Sequence, residues 1–303
     1  MAIIVPSALI PALLRVTRAN RNWSTEAGAI AHAQEARLRP APYGPPTRLR
    51  RDVRVEVERE SGWPVYTVTP RDGTPRGAVV YVHGGGWVDD IDPAHWALVG
   101  QIAAEAKTAV VVPIYPLIPF GNARGVRDGV VRLVLGTMEQ YGPTALAGDS
   151  AGGQIALSSA LALRDDHEVT LPLTVLISPA LDLAFSNPEI PRVQPTDPWL
   201  GAAGVRVYAE QWRGNDSVDD PAVSPLHGSL AGLGPLRLFT GTRDILNPDA
   251  HELRRKAEHA GVTLEFHERS GQVHVYPLAP TSVGRTTRTL IATAIGNALQ
   301  TSS

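Results

Sequence analysis

The 303-residue sequence contains no cysteine and only two lysines, Lys107 and Lys256. The absence of cysteine excludes disulfides, zinc–thiolate centres and a cysteine nucleophile. Arginine therefore supplies nearly all of the positive charge, but it forms no basic stripe, and the formal net charge is −2. This charge balance argues against a nucleic-acid partner. We attribute the scarcity of lysine to codon bias rather than to function.

The sequence also lacks a long uninterrupted apolar run. Residues 1–14 (MAIIVPSALIPALL) are apolar, but Pro6 and Pro11 interrupt them and no positive charge precedes them. Such a stretch is too short to span a bilayer and makes a poor signal peptide. We therefore expect a cytoplasmic protein without a membrane span.

The order of the predicted elements indicates an α/β fold. Residues 53–57 and 65–68 alternate apolar with polar positions, which predicts two antiparallel strands. Six buried-type strands then alternate with helices, a rhythm typical of a mainly parallel sheet flanked by helices. These six strands are predicted at residues 78–82, 109–114, 144–147, 173–178, 236–240 and 262–267. We expect a central sheet of about eight strands.

The motif around which the chain is organised is GDSAGG at residues 148–153. It is a G-x-S-x-G sequence between a predicted strand and a helix-forming run at residues 154–164, the context in which this motif has meaning. A serine hydroxyl is a poor nucleophile, so Ser150 must stand at the tip of a tight turn within reach of a base. Flanking glycines remove the Cβ atoms that would collide there. A chance match to a Gly/Ser-rich turn is the alternative.

A second glycine-rich motif, HGGGW at residues 83–87, follows the predicted strand at 78–82. Three consecutive glycines are costly in backbone entropy, but they allow a backbone to approach a ligand with its N–H groups pointing outward. Acyl transfer needs such donors, because its tetrahedral intermediate carries a negatively charged oxygen. The HGGG pattern on a strand–helix loop is a known form of oxyanion hole. A flexible glycine turn is the alternative.

An acid and a histidine complete the constellation. Asp244 follows the predicted strand at 236–240, at the sheet edge where ligands bind in open α/β folds. His274 lies in the predicted loop after the strand at 262–267. The order Ser150, Asp244, His274 is that of α/β-hydrolases and differs from the orders in chymotrypsin and subtilisin.

Other residues compete for these roles. Asp182 and Asp249 are alternative acids, although neither ends the strand before the histidine strand. His267 is the best alternative base. Among the remaining candidates, His251 is expected on a solvated helix face, Asp149 is interpreted as structural, and His83 precedes the glycines. The acidic turn of Asp89, Asp90 and Asp92 lacks EF-hand spacing and a histidine pattern, so we expect no metal and no cofactor.

Together these motifs resemble the hormone-sensitive-lipase-like group of α/β-hydrolases, the bacterial family IV esterases. The similarity rests on HGGGW, GDSAGG, TGTRDIL at residues 240–246 and the His274 loop, and it covers the chain from about residue 50 onward. It implies an α/β-hydrolase fold with a helical cap and a nucleophilic Ser150. His274 would be the base, oriented by Asp244, and His83 would brace the glycine loop. The N–H groups of Gly85, Gly86 and Ala151 would form the oxyanion hole.

The resemblance also implies a division of the chain. We expect residues 1–45 to be an N-terminal helical cap segment, with helices over residues 3–16 and from a Ser24 or Thr25 cap to Arg39. Residues 46–303 would be the catalytic domain, and the proline-rich insertion at 182–228 would contribute a cap or lid. Aromatic and apolar residues near the motifs are candidates to line the pocket, with core packing as the alternative. These are Trp87, Trp199, Tyr208, Trp212, Val275 and Tyr276.

The sequence therefore predicts a serine carboxylesterase acting on small, short-chain esters through an acyl-enzyme. One alternative is a small-molecule binding protein on the same fold, although the retained histidine argues against it. Another is a lactonase or amidase that uses the same triad. The expected partner is a small-molecule ester, and a homodimer would suit the family.

Overall fold

The computed structural model describes residues 4–47, 49–60 and 62–301. Within them one eight-stranded sheet runs through the molecule in the order β1-β2-β4-β3-β5-β6-β7-β8. The strands are β1 (Val53–Glu60), β2 (Trp63–Pro70), β3 (Ala78–Val82), β4 (Ala109–Pro113), β5 (Thr144–Asp149), β6 (Thr174–Ile177), β7 (Leu236–Arg243) and β8 (Leu264–Val273). β1 and β2 pair antiparallel, β2 pairs antiparallel with β4, and the other pairs are parallel. The predicted α/β fold is confirmed.

The helices cover both faces of this sheet. They are α1 (Ile10–Val16), α2 (Glu26–Leu38), α3 (Pro93–Ala106), α4 (Ala123–Tyr141), α5 (Ala151–His167), α6 (Ile190–Val193), α7 (Ala202–Arg213), α8 (Asn247–His259) and α9 (Ser282–Thr301). Successive strand residues point to opposite faces. Val79 therefore packs in the core with α3 and α9, whereas Val80 packs in the core with α4 and α5. Burial of both faces explains the continuous apolar runs of β3 and β4.

The N-terminal segment differs in part from its prediction. Ile3 lies outside the described residues, and α1 begins only at Ile10, after a single 3₁₀ turn at Ser7–Leu9. Pro6 is extended, with φ −56° and ψ 126°, so the helix cannot run through it. The second helix follows its prediction closely, because the Thr25 side chain accepts a hydrogen bond from Gly28 N at 3.2 Å and caps α2.

Strand β8 is longer than the sequence indicates. It continues past the predicted end at His267 to Val273, and Val273 pairs with Arg243 after a register shift in β7. Residues 268–270 are polar and exposed, so no apolar pattern predicts this continuation. His274 therefore follows the last strand directly and does not lie in a separate loop, and the carboxyl edge of the sheet carries it.

None of the helices in the described ranges is both long and apolar enough to cross a membrane.

Candidate active site

Ser150 stands in a sharp turn between β5 and α5. Its φ of 52° is unusual for a residue with a side chain. The turn is held by a hydrogen bond from Ser150 N to Ile177 O at 2.8 Å. The glycines are required sterically: a Cβ on Gly148 would lie 2.3 Å from Gly152 O, and one on Gly152 would lie 2.1 Å from Val82 O. The local sequence thus forces the serine outward at the carboxyl edge of the sheet.

The structure brings Ser150, His274 and Asp244 together from three separate strand ends. His274 Nε2 lies 2.9 Å from Ser150 Oγ, and His274 Nδ1 lies 2.9 Å from Asp244 Oδ2. Asp244 is fully buried, and its other oxygen accepts a hydrogen bond from Leu246 N at 3.0 Å. This is the geometry in which an acid orients a histidine that serves as base toward a serine.

The electrostatics around His274 favour its role as a proton acceptor. Burial lowers the pKa of His274, but the adjacent Asp244 carboxylate, followed by Asp197 and Asp149, outweighs burial and raises the pKa above its ordinary value. Trp199 packs edge-on against the imidazole, with ring centroids 5.8 Å apart. The histidine is therefore oriented on one side by a carboxylate and on another by an aromatic ring.

Asp197 connects the insertion to the acid turn. One carboxylate oxygen accepts hydrogen bonds from Trp199 N at 2.8 Å and Leu200 N at 2.9 Å. The other oxygen accepts from Ile245 N at 2.9 Å, next to Asp244. Burial and the negative charge of Asp244 raise the pKa of Asp197 to about 6. A second carboxyl group thus lies beside the triad, and the sequence analysis did not identify it.

Gly85 and Gly86, in the loop after β3, line the same cavity as Ser150. Gly85 and Gly86 have φ values of 108° and 58°, a region that favours glycine. A Cβ on Gly85 would lie 2.4 Å from Asp89 O. Ala151 is the first residue of α5, where N–H groups have no acceptor within the helix. The three residues predicted to form an oxyanion hole thus border the two cavities that Ser150 lines.

Asp149 braces this loop from inside. Its Oδ1 accepts hydrogen bonds from Tyr81 Oη at 2.6 Å and from Gly84 N at 3.0 Å. Its Oδ2 lies 3.1 Å from His95 Nε2, and His95 Nδ1 lies 2.8 Å from Asp92 Oδ1. The residue interpreted as structural in the sequence thus joins the serine turn to the glycine loop.

The brace carries a buried charge. Burial lowers the pKa of His95, but Asp149 and Asp92 outweigh burial and raise it to about 10. The nearby His83 behaves oppositely, because burial and the His95 charge lower its pKa to about 4. Neutral His83 stacks on the Tyr115 ring at 4.5 Å, and Tyr115 Oη donates to His83 O at 2.8 Å. The residue before the glycines is thus packed and hydrogen-bonded.

A largely apolar cavity of about 550 Å³ opens above the triad. Ser150 and His274 lie at its floor, together with two of the predicted pocket residues, Trp199 and Val275. A second, much smaller cavity of about 30 Å³ also reaches Ser150. The larger volume is within the range of small-molecule sites.

The other predicted pocket residues divide between this smaller cavity and the core. Trp87 and Tyr208 line the smaller cavity. Trp212 lines neither of the two cavities, because its ring is buried against Trp87 and its Nε1 donates to Gln154 Oε1 at 3.0 Å. Tyr276 is also buried in the core and lines neither cavity. For these two residues core packing replaces the predicted pocket role.

The competing acids and histidines lie elsewhere. Asp182 accepts hydrogen bonds within its own turn, and Asp249 accepts one from Asn187 in the insertion. His267 stacks on Phe239 at 4.7 Å, and His251 pairs with a glutamate of β8. Among the residues that the structure describes, none of these four side chains forms a hydrogen bond to Ser150, His274 or Asp244.

The three aspartates of the acidic turn after the glycine loop have different surroundings. Asp92 caps α3 and accepts hydrogen bonds from its first turn. Asp89 lies 3.0 Å from His32 Nε2 of α2. Burial raises the pKa of Asp90 to about 6. Within residues 4–47, 49–60 and 62–301, no group of three acidic or histidine side chains is arranged to hold a metal.

An eight-stranded, mainly parallel sheet with a serine turn after β5, an acid after β7 and a histidine after β8 is the α/β-hydrolase architecture. The sequence profile described as the α/β hydrolase fold matches residues 79–278. The chain belongs to this family. The predicted resemblance to the hormone-sensitive-lipase-like group is also confirmed.

Characterised relatives and solved structures agree with this assignment. The chain is 32% identical over 203 residues to an acetyl-hydrolase of Streptomyces hygroscopicus, covering 65% of this chain and 67% of that protein. It is 31% identical over 223 residues to a triacylglycerol lipase of Mycobacterium tuberculosis, covering 73% of this chain but only 46% of the lipase. The chain thus spans less than half the length of that relative.

A solved hormone-sensitive-lipase homologue from a metagenome library superposes with a TM-score of 0.83 over 98% of this chain and 100% of its own, at 20% identity. This likeness defines the fold.

Sequence reasoning missed three residues that surround the site: His95, Asp197 and Trp23. The Asp92-x-x-His95 spacing signals a helix cap, but it carries no sign of the contact with Asp149. Asp197 and Trp23 lie far from the motifs along the chain, and only the tertiary fold brings Trp23 beside Ser150 and Asp197 beside the Asp244 turn.

Proposed function

We propose that this chain is a serine carboxylesterase that hydrolyses small, short-chain carboxylic esters through an acyl-enzyme intermediate. The observation that carries the proposal is the hydrogen-bonded series from Asp244 through His274 to Ser150 at the floor of an apolar cavity. Relatives named acetyl-hydrolase and lipase support ester hydrolysis as the reaction class.

In the acylation step, Ser150 Oγ attacks the ester carbonyl carbon while His274 Nε2 accepts its proton. The 2.9 Å separation allows direct transfer. Asp244 keeps the Nδ1 proton toward itself, so that Nε2 is free to accept, and it stabilises the imidazolium that forms. His274 then donates the proton to the leaving alcohol oxygen as the carbon–oxygen bond breaks.

The negative oxygen of the tetrahedral intermediate would be held by the N–H groups of Gly85, Gly86 and Ala151. The Asp149 brace supports this arrangement, since it ties Gly84 to the serine turn before substrate binds. Preorganised donors of this kind contribute about a hundredfold or more each to turnover. In deacylation, His274 removes a proton from water, the hydroxide attacks the acyl carbon, and Ser150 leaves with the proton.

We infer further that the N-terminal segment to residue 45 and the insertion at 182–228 form a cap over the site. Leu13, Leu14 and Trp23 line the larger cavity from the N-terminal segment, and Trp199 and Leu200 line it from the insertion. The two segments also touch each other, because Tyr208 Oη on α7 donates to Asn22 O at 2.6 Å.

The experiment that tests the reaction is hydrolysis of p-nitrophenyl acetate, butyrate and octanoate by wild type and by Ser150→Ala. We expect saturable hydrolysis that falls with chain length and a loss of at least about 10⁴-fold in kcat for the variant. A p-nitrophenyl alkylphosphonate should add one covalent label to wild type, seen by intact mass, and none to Ser150→Ala. Equal activity, or equal inactivity, of the two proteins would contradict the serine mechanism and favour a binding role.

A further inference from the structure

Two cavities of very different size meet at Ser150. The larger, of about 550 Å³, is lined by both Ser150 and His274. The smaller, of about 30 Å³, is lined by Ser150 and Ala151 but not by His274. Four residues border both cavities: Ser150, Gly86, Trp23 and Leu200.

Trp23 is the largest side chain on this shared border. Its ring lies flush against the glycine loop, since a Cβ on Gly86 would come within 2.4 Å of it. The indole therefore occupies the space that any side chain at position 86 would need. It stands directly beside one of the proposed oxyanion donors.

The position of Trp23 is held from several sides. Its carbonyl accepts a hydrogen bond from Gly201 N at 3.2 Å, and a Cβ on Gly204 would lie 2.3 Å from that carbonyl oxygen. Its ring packs on Tyr208 at 5.1 Å and on His32 at 5.6 Å. His32 Nδ1 and Tyr208 Oη are themselves 2.9 Å apart. Trp23 is thus a rigid wall rather than a freely rotating surface residue.

The chemistry of the reaction orients a substrate between the two cavities. The leaving alcohol oxygen must receive its proton from His274, which lines only the larger cavity. The alcohol portion therefore extends into the larger cavity. The other space that borders Ser150 is the smaller cavity, beside Ala151, and it is left for the acyl chain.

From this we propose that Trp23 is the specificity-determining residue of the site. It closes the acyl side so that the chain hydrolyses acetate and propionate esters of larger, apolar alcohols. The inference rests on the proposed function and deepens it by naming the substrate class. The smaller cavity, of about 30 Å³, has room for a short chain only, whereas the larger has about 550 Å³. Acetyl and propionyl groups place one and two carbons beyond the carbonyl, and butyryl places three.

The first test varies the acyl chain on a constant leaving group. We would measure kcat/KM for p-nitrophenyl acetate, propionate, butyrate and hexanoate with wild type and Trp23→Ala. For wild type we expect a drop of about tenfold or more from propionate to butyrate, the usual effect of one methylene that does not fit. Trp23→Ala should raise the butyrate-to-acetate ratio by about tenfold, because it opens the smaller cavity.

A matched pair of aliphatic truncations separates the two sides. Val205 lines only the smaller cavity and Leu14 only the larger. Val205→Ala should shift the acyl preference toward butyrate, and Val205→Leu should shift it toward acetate. Leu14→Ala should leave the acyl ratio unchanged but alter the relative rates on ethyl, butyl and hexyl acetate, followed by pH-stat. The Val205 pair also keeps the test decisive if Trp23→Ala does not fold.

The outcomes distinguish this inference from the function on which it rests. Wild type that prefers butyrate or hexanoate to acetate would overturn the inference, as would an acyl preference that responds to Leu14→Ala and ignores Val205→Ala. Acetate hydrolysis that persists in Ser150→Ala would instead overturn the proposed serine mechanism, on which this inference rests.

Discussion

Two buried histidines, His274 and His95, lie at the same edge of the sheet, and they differ in the number of their carboxylate partners. His274 has one carboxylate partner, Asp244, and a hydroxyl partner, Ser150. His95 has two carboxylate partners, Asp149 and Asp92. Both residues are almost fully buried, at 5% and 6% exposure, so burial does not distinguish them.

The number of carboxylates decides what each histidine can do. Two negative partners raise the pKa of His95 to about 10, so it keeps its proton at neutral pH. His274 has one direct carboxylate partner, which raises its pKa, and its Nε2 faces a hydroxyl group that can lose a proton to it. His95 is therefore a positive charge at neutral pH that joins two elements, whereas His274 can accept and release a proton in each turnover.

Of the substitutions that test this comparison, Asp244→Asn is expected to have the largest effect, a loss of kcat. The amide would donate toward His274 Nδ1 and place the imidazole proton on Nε2, which can then no longer accept from Ser150. By analogy with the same change in serine proteases, kcat on p-nitrophenyl acetate should fall about 10⁴-fold. The change preserves shape, so the urea unfolding midpoint should move little. A kcat within tenfold of that of wild type would show that Asp244 is not the acid that orients His274.

The second largest effect is expected from a substitution of His95, and it lowers the free energy of unfolding. His95→Gln leaves the Asp149 carboxylate buried without its cation, and breaking such a pair costs about 3–5 kcal/mol in the free energy of unfolding. Urea denaturation measures this loss. Turnover should fall less than in Asp244→Asn, because His95 acts only through the glycine loop. Unchanged stability together with a 10⁴-fold loss of kcat would reverse the assigned roles.

The same variant has a pH signature. The pKa of His95 is raised on folding from about 6.5 to about 10, so its stabilising contribution is complete below pH 6.5 and disappears as pH rises toward 10. The stability difference between wild type and His95→Gln should therefore shrink over that window. A stability difference that is constant from pH 6.5 to 9.5 would mean that protonation of His95 does not stabilise the fold.

The two sites also differ in how well the sequence predicts them. Ser150 and the glycine loop are recognisable because each is a local strand–turn motif, and glycines such as Gly148 and Gly85 are forced by contacts within a few residues. His95 is not recognisable, because its partner Asp149 lies 54 residues away. No pattern in either segment signals their meeting across the sheet.

The fold shows the same division. Buried strands such as β3 and β4 are visible as apolar runs, and their predicted bounds agree closely with the structure. Residues 268–270 of β8 are polar and exposed, and the strand continues through them because it pairs with β7. Trp212 and Tyr276 are predicted to line the pocket because they are aromatic and near the motifs, but composition does not tell which face of an element is buried.

The smallest effect, and the one that sharpens the comparison most, is expected from Asp197→Asn. Asp197 is a second negative charge near His274 and helps to raise its pKa, so kcat/KM should decline with acid at a pH above 6.5 in wild type. Removing that charge should move the acid limb to lower pH by a fraction of a unit, while kcat at pH 8 falls only a few-fold.

The structural role of Asp197 predicts something different, which makes the test decisive. Asparagine can still accept from Trp199 N and Leu200 N, but the hydrogen bond from Ile245 N is lost. A purely structural residue would lower kcat at every pH and leave the limb in place. Asp72→Asn is the matched control, because Asp72 is exposed in the turn before β3, at the opposite edge of the sheet. A downshift with Asp197→Asn and none with Asp72→Asn would show that His274 is tuned by nearby carboxylates, as His95 is, but to a degree that still permits it to exchange its proton.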